Sequence, residues 1–187
     1  MTTYLVVLPD QGLAIFASNN QMSPAPLAVV ADLLDQFLSE VASESGQDWI
    51  SLISDVAGGR KQDASDAVAE AESERAVDSE PSLGLEAYAG TYQDAWYGDV
   101  QISVSKDGTL RFRSERSATL FGPMEHFQYD TFIVRWSDRK LKADAYVSFY
   151  LTPEGEVERI RMKAVSPATD FSFDFHDLDL RKFGDVN

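Results

Sequence analysis

Past Pro81 the sequence breaks into short runs in which apolar and polar residues alternate, each closed by a turn. A period of two places successive side chains on opposite faces, so this half of the chain has little to build except an antiparallel sheet. "DVQISVSKDGTLRFRS" sets Val100, Ile102 and Val104 on one face, turns at Lys106-Asp107-Gly108, and resumes with Leu110 and Phe112 at alternate positions. Further strands are expected in "YDTFIVRW", closed by Ser137-Asp138, in "AYVSFYLT", closed by "PEGE", in "VERIRMKAV" and in "DFSFDFHDLDLRKF". In the last of these, Phe171, Phe173 and Phe175 share one strand face while Ser172, Asp174 and His176 share the other. Many short strands with frequent turns and little helix point to an antiparallel barrel or sandwich. Its aromatic residues Trp96, Tyr97, Phe112, Tyr129, Phe132, Trp136, Phe149, Phe171, Phe173 and Phe175 either fill the interior or line a pocket in it.

The first half has a different texture. "TTYLVVLPDQGLAIFASNNQ" is expected to form a β-hairpin, with Tyr4 to Leu8 and Leu13 to Ala17 as its strands. Neither strand alternates cleanly, so both faces are expected to be buried, as in the middle of a layered sheet. "NNQMSPAP" interrupts the hairpin, with Ser23 as an N-cap and Pro24 suited to a first helical turn. Leu27, Val30, Ala31, Leu34, Leu38 and Val41 then form one apolar stripe, which predicts an amphipathic helix from Pro24 to Val41. A second short helical pattern, Trp49, Leu52, Ile53 and Val56, is expected to stop at Gly58-Gly59. Arg60 to Pro81 carries almost no large apolar residue and reads either as an exposed helix or as a disordered linker. The overall expectation is α+β, with a hairpin and helix over 1–45, a helical or disordered linker over 46–82 and a β-barrel over 83–187.

Composition removes several functions. The 187 residues hold 31 acidic and 16 basic side chains, a net charge of −15, which argues against nucleic acid and anionic membrane surfaces as partners. That charge serves solubility. With no cysteine there is no disulfide, thiolate chemistry or cysteine-ligated zinc. No run reaches membrane-spanning length, and Met1 is not followed by the basic start and small-residue cleavage site of a signal peptide. No location follows from these features.

Motifs that carry chemistry are scarce. Ser103 to Lys106, "SVSK", matches the Ser-x-x-Lys spacing of a serine nucleophile and its base. That chemistry needs the amine one helical turn from the hydroxyl, whereas here the four residues lie on an alternating strand running into a turn. No Gly-x-Ser-x-Gly elbow occurs. His176 with Asp174 and Asp177 offers metal-ligating groups, but the outward polar face of a strand is the better account of them, and His126 stands apart. Asp94, Trp96, Tyr97 and Asp99 form an acidic and aromatic patch that is also an ordinary turn. No catalytic, cofactor or metal site is assigned.

The hairpin "LVVLPDQGLAIFASNN" and its proline-broken helix resemble the end of serine β-lactamase-like hydrolases, the peptidase S12 family that includes penicillin-binding-protein-type enzymes. The remainder resembles the lipocalin-like C-terminal barrel of some of these hydrolases, the DUF3471 type. It does so through Tyr88, Gly90 and Tyr92, through Tyr97 to Asp99, and through Tyr129 to Phe132. The resemblance implies that the catalytic Ser-x-x-Lys, Tyr-x-Asn and Lys- or His-containing Thr-Gly motifs lie upstream of Met1. The chain then reads as the C-terminal part of such an enzyme, whether from a truncated gene, a split gene or a deliberate cut. Relatives of this kind are often periplasmic or secreted.

Two functions follow as expectations. In the first, the chain is a non-catalytic accessory region whose barrel meets the catalytic domain of its parent hydrolase and controls assembly or access to the active site. In the second, the barrel binds an apolar or peptide-like ligand among its aromatics, a reading that an interior filled by its own side chains decides against. The hairpin adds a further expected partner. Its outer strand, exposing Leu5, Val7, Leu13 and Ile15, invites self-association by edge pairing unless it docks on the barrel.

Overall fold

The computed structural model describes residues 1–38 and 46–184. Val41, expected at the end of the first helical stripe, lies outside the described residues. Contacts gather into two units, Met1–Asp63 and Ala64–Asn187.

In the first unit, β1 (Thr2–Leu8) and β2 (Leu13–Asn19) pair antiparallel around a 3-10 turn at Pro9–Gln11, with Leu8 opposite Leu13 and Thr2 opposite Asn19. Helix α1 (Ala25–Leu38) follows. Ser23 Oγ accepts the Ala25 N–H at 3.2 Å, so the expected cap forms. Ala28 and Val30 of α1 are buried, as is Ile15 of β2, and α1 packs on both strands. The expectation of two buried faces is corrected. The strands alternate, and Leu5 (64% exposed), Val7 (55%) and Phe16 (68%) form the open face. Leu13 and Ile15 belong to the other, more buried face. Register decides this, because Leu5 sits opposite Phe16 and Val7 opposite Ala14, which puts all four on one side.

Helix α2 (Trp49–Ser73) runs straight through Gly58 and Gly59, where a stop was expected. Two glycines cost a helix roughly 1 kcal/mol each relative to alanine. The cap at Asp48, which accepts the Ser51 N–H at 2.9 Å, and the alanine- and charge-rich run to Ser73 offset that cost. The segment from Arg60 is therefore helical as far as Ser73.

The second unit is a closed antiparallel barrel of eight strands, so the chain is α+β overall. The strands are β3 (Gly90–Asp94), β4 (Gly98–Val104), β5 (Leu110–Ser114), β6 (Phe121–Gln128), β7 (Thr131–Val134), β8 (Ala145–Leu151), β9 (Val157–Ala164) and β10 (Leu180–Gly184). Each pairs with the next in sequence, and β10 closes the ring by pairing with both β9 and β3. Closure removes every edge strand from this unit. The inward residues make one core that includes Tyr92, Ile102, Phe132, Val147, Ile160 and Leu180, all almost fully buried.

A short helix, α3 (Leu85–Tyr88), enters the barrel at the end where β3 begins. Tyr88 is fully buried there, edge-on to Phe149 at 4.8 Å and to Phe132 at 5.5 Å between ring centroids. Its hydroxyl donates to the Asp130 carboxylate in the β6–β7 turn and accepts the Leu83 N–H at 3.1 Å. Tyr92 donates to the Tyr88 carbonyl at 2.7 Å. Gly90 is a glycine because the Lys182 stem passes where a Cβ would stand, at 2.6 Å, on its way to donate to the Ala87 carbonyl.

The segment before α3 is stapled to that same turn. Arg75 donates to the carbonyls of His126 and Phe127, the Ala76 N–H to Gln128, and Ser82 to both oxygens of Asp130 at 2.8 Å. A bulge in β6 between His126 and Gln128 accompanies this contact. There Phe127 meets Tyr146 at 4.9 Å and the Arg75 guanidinium lies over its ring.

Two outcomes are expected. Residues 64–187 should melt cooperatively, whereas a chain starting at Leu83 loses the Arg75, Ala76 and Ser82 bonds and should melt about 10 °C lower; equal melting midpoints would contradict the staple. Asp130→Ala should cost about 1–3 kcal/mol at neutral pH by leaving the buried Tyr88 O–H without its acceptor. Burial opposes ionisation of Asp130, but hydrogen bonds from Tyr88 and Ser82 outweigh it and hold its carboxyl below the usual range. A depressed acid stabilises the fold above its unfolded pKa and loses that contribution as pH falls through the folded value. The gap between the native chain and Asp130→Ala should therefore narrow between about pH 5 and pH 2. A gap that stays constant in urea titrations across that range would contradict it.

Candidate functional site

The two ends of the barrel differ. At the entry end Tyr88 fills the interior, together with Tyr92, Phe132 and Phe149. At the far end the loops after β3, β5, β7 and β9 surround an apolar cleft of about 260 Å³. Val100, Phe112, Leu120, Trp136, Met162, Phe175 and Leu178 form its walls, and Tyr97, Ser114, Ser117, Thr119, Ser172 and Asp174 add its polar groups.

Trp136 is the fixed wall. Its indole N–H donates to the Ala143 carbonyl at 2.6 Å, its backbone N–H to Asp144, and its carbonyl accepts from Arg139. Asp144 also receives Arg135 and Arg139. Burial opposes ionisation of Asp144, yet the two guanidiniums hold its carboxyl below the ordinary range. The polar atom of Trp136 is thus already partnered, and its ring is what it shows to the cleft. Phe112 meets that ring edge-on at 5.3 Å and Phe175 stacks on it at 6.1 Å.

Gly122, at the start of β6, allows this wall to come close. A Cβ there would lie 2.0 Å from the Arg135 carbonyl oxygen, so only glycine fits against the chain leading into Trp136.

The β9–β10 connection supplies the remaining cover. The strand expected over "DFSFDFHDLDLRKF" is corrected: Asp170 to Asp179 is loop with a 3-10 turn at Phe175–Asp177, and β10 begins only at Leu180. Asp170 accepts from Ser172 and so favours a local turn over extension. Phe175 is therefore buried, Phe173 packs beside it at 5.6 Å, and Phe171 is 88% exposed.

Beside this connection, Asp94 accepts the backbone N–H groups of Trp96 and Tyr97 and, through its other oxygen, that of Asp179. This joins the β3–β4 turn to the approach of β10. Tyr97 consequently faces the cleft while Trp96, stacked on it at 6.2 Å, is 81% exposed. Partial burial pushes the Tyr97 phenol up, and the fields of Asp174, Asp177 and Asp94 push it the same way.

Five of the ten aromatics picked from the sequence thus meet at the cleft: Tyr97, Phe112, Trp136, Phe173 and Phe175. Phe132 and Phe149 pack the filled end, while Trp96, Tyr129 and Phe171 lie on the surface. Sequence reading did not single out Met162, Leu120, Leu141 or Leu178. Met162 alternates with Ile160 in "VERIRMKAV", a signal that was present; the leucines sit in or beside loops where no period applies.

The remaining candidates have simple surroundings. Ser103 lies on β4 opposite Arg111, and Lys106 lies in the next turn, so the Ser-x-x-Lys spacing is not on a helix. His126 contacts the Tyr129 carbonyl at 2.9 Å. Asp99 accepts from Gln93. The donor atoms of Asp174, His176 and Asp177 lie within 4.8 Å of one another, the one such grouping among the described residues. It stands on the 3-10 turn at the cleft's edge, not on the strand face expected. No described helix is long and apolar enough to cross a membrane.

Residues 74–182, more than half of the chain, match the family described as a domain of unknown function, DUF3471. The chain belongs to this family. The DUF3471 match opens one residue before Arg75, where the staple to the β6–β7 turn begins, and ends inside β10, the closing strand. No curated protein matches the chain.

Proposed function

We propose that this chain is a non-catalytic accessory region of a serine β-lactamase-like hydrolase, and that its barrel acts through its far end. In this reading the apolar cleft receives a segment of the catalytic domain and so controls assembly or access to the active site. The cleft is the observation that supports it: an interior plugged by Tyr88 at one end keeps an apolar, aromatic-walled opening at the other. Trp96 and Phe171, exposed on the turn after β3 and the β9–β10 loop, extend that apolar surface outward.

The same cleft favours a second reading, a module that binds a small apolar ligand. An opening of about 260 Å³ exceeds the ~150 Å³ that accommodates a benzene ring, so a ring with a short chain fits.

Both readings are tested with a variant in which Trp136 is the sole tryptophan, carrying Trp49→Phe and Trp96→Phe. Its emission should be quenched by the neutral apolar probe N-phenyl-1-naphthylamine. Unchanged emission would remove the cleft from either reading. A β-lactamase-like catalytic domain added from the same genome should displace the probe if the accessory reading holds; failure to compete leaves the small-ligand reading. The chain alone should neither hydrolyse nitrocefin nor be labelled by a fluorescent penicillin. Hydrolysis abolished by Ser103→Ala would contradict the non-catalytic assignment.

A further inference from the structure

Asp174 is the only charged residue among those lining the cleft. It stands where the apolar wall ends, one residue before Phe175, whose ring stacks on Trp136. Asp177 follows on the same turn, with its carboxylate oxygen within 4.8 Å of the Asp174 group. Asp94, bonded to Asp179 of the same β9–β10 connection, holds the turn that carries Tyr97. Arg139 and Arg135 pair with Asp144, Arg161 pairs with Asp179 and donates to the Leu178 carbonyl in the cleft wall, Arg116 donates to the Trp96 carbonyl beside Tyr97, and His176 Nε2 stands 3.4 Å from Asp177. The cleft thus joins a neutral aromatic interior to a lining whose one charged group among the described residues is the Asp174 carboxylate, on a protein of net charge −15.

A ligand matching that pattern has an apolar body of about ring size and a cationic end. An ammonium group placed at Asp174 stays partly hydrated, meets carboxylate oxygens, and leaves its apolar body against Phe112, Trp136 and Met162. A carboxylate in the same place would face the Asp174 and Asp177 carboxylates, and among the described residues lining the cleft there is no lysine or arginine to offset them. After burial, Asp174, Asp177 and Asp94 also push the Tyr97 phenol up, so these three carboxylates act on one ring of the cleft.

We propose that the far-end cleft selects small apolar amines, with the apolar body held between Phe112, Trp136 and Met162 and the ammonium at Asp174. This deepens the binding reading and rests on it.

The test is a calorimetric titration of the full chain with three probes of one shape and different charge: 4-phenylbutylamine, 4-phenyl-1-butanol and 4-phenylbutyrate. The amine should bind roughly fivefold tighter than the alcohol, as partly exposed ion pairs allow, and the carboxylate more weakly than both. The amine's advantage should shrink as salt rises from low to physiological strength. In Asp174→Asn the amine should fall to the affinity of the alcohol while the alcohol binds as before, which also shows that the variant is folded. If the alcohol binds and the amine gains nothing over it, the amine selectivity is wrong and the apolar site stands. An amine preference that survives Asp174→Asn would likewise overturn the assignment to Asp174. If none of the three binds, the cleft is not a ligand site and both readings fall together.

Discussion

The hydrogen bond from Tyr88 to Asp130 is the contact on which the barrel's asymmetry depends. It joins the two sequence patterns most characteristic of this half, the tyrosines around Gly90 and the Tyr129 to Phe132 turn. The phenol is pushed up to about 12, by burial first and then by the Asp130 carboxylate, so it remains a donor at any ordinary pH. Because Ser82 and the backbone before it bind the same turn, the entering chain is fixed before β3 starts. A buried phenol with its partner in place costs little; the same phenol without Asp130 would keep the Leu83 N–H but be a buried donor with no acceptor. That asymmetry explains why one end of the barrel is filled by the chain's own entry segment.

Filling one end leaves open space at the other. The far end is made of loops, and the loops contribute aromatics without closing the space between them. Trp136 is held by three polar contacts, to Ala143, Asp144 and Arg139, none of which lines the cleft. Phe175 reaches it from a loop of some fifteen residues whose backbone is set by local Asp and Ser bonds. A rigid wall opposite a loop-borne cover is a sound basis for a binding surface, since loops on a scaffold carry recognition while strands carry stability. The hairpin unit presents a separate apolar face, Leu5, Val7 and Phe16, backed by α1.

Much of this was legible in the alternation of residues. The β4–β5 hairpin shows it well: Val100, Ile102, Leu110 and Phe112 all face inward, and Asp107 makes the turn by accepting from Ser105 and Thr109, which holds its carboxyl down to about 2. Period alone failed where local side-chain bonds compete with the sheet. Phe171, Phe173 and Phe175 alternate perfectly, yet Asp170 and Ser172 turn the backbone, leaving Phe171 on the surface while Phe173 and Phe175 pack together at the cleft. The hairpin strands failed in the opposite sense, since an uninterrupted apolar run hides the face that register later exposes. Gly58-Gly59 misled as a stop because a helix's end is set by its whole length and cap as much as by one pair of residues. The role of Tyr88 was invisible because its partner lies 42 positions away.

The most direct test of a barrel closed at one end and receptive at the other is methyl NMR of the methionines in the presence of N-phenyl-1-naphthylamine. The chain has four: Met1, Met22, Met124 and Met162. Met162 lines the cleft, whereas Met124 is buried in the core outside it. The account predicts that the Met162 methyl signal shifts with saturation while Met124, Met1 and Met22 stay in place. A shift of Met124 of similar size, or a shift of Met1 and Met22 with Met162 unmoved, would contradict it.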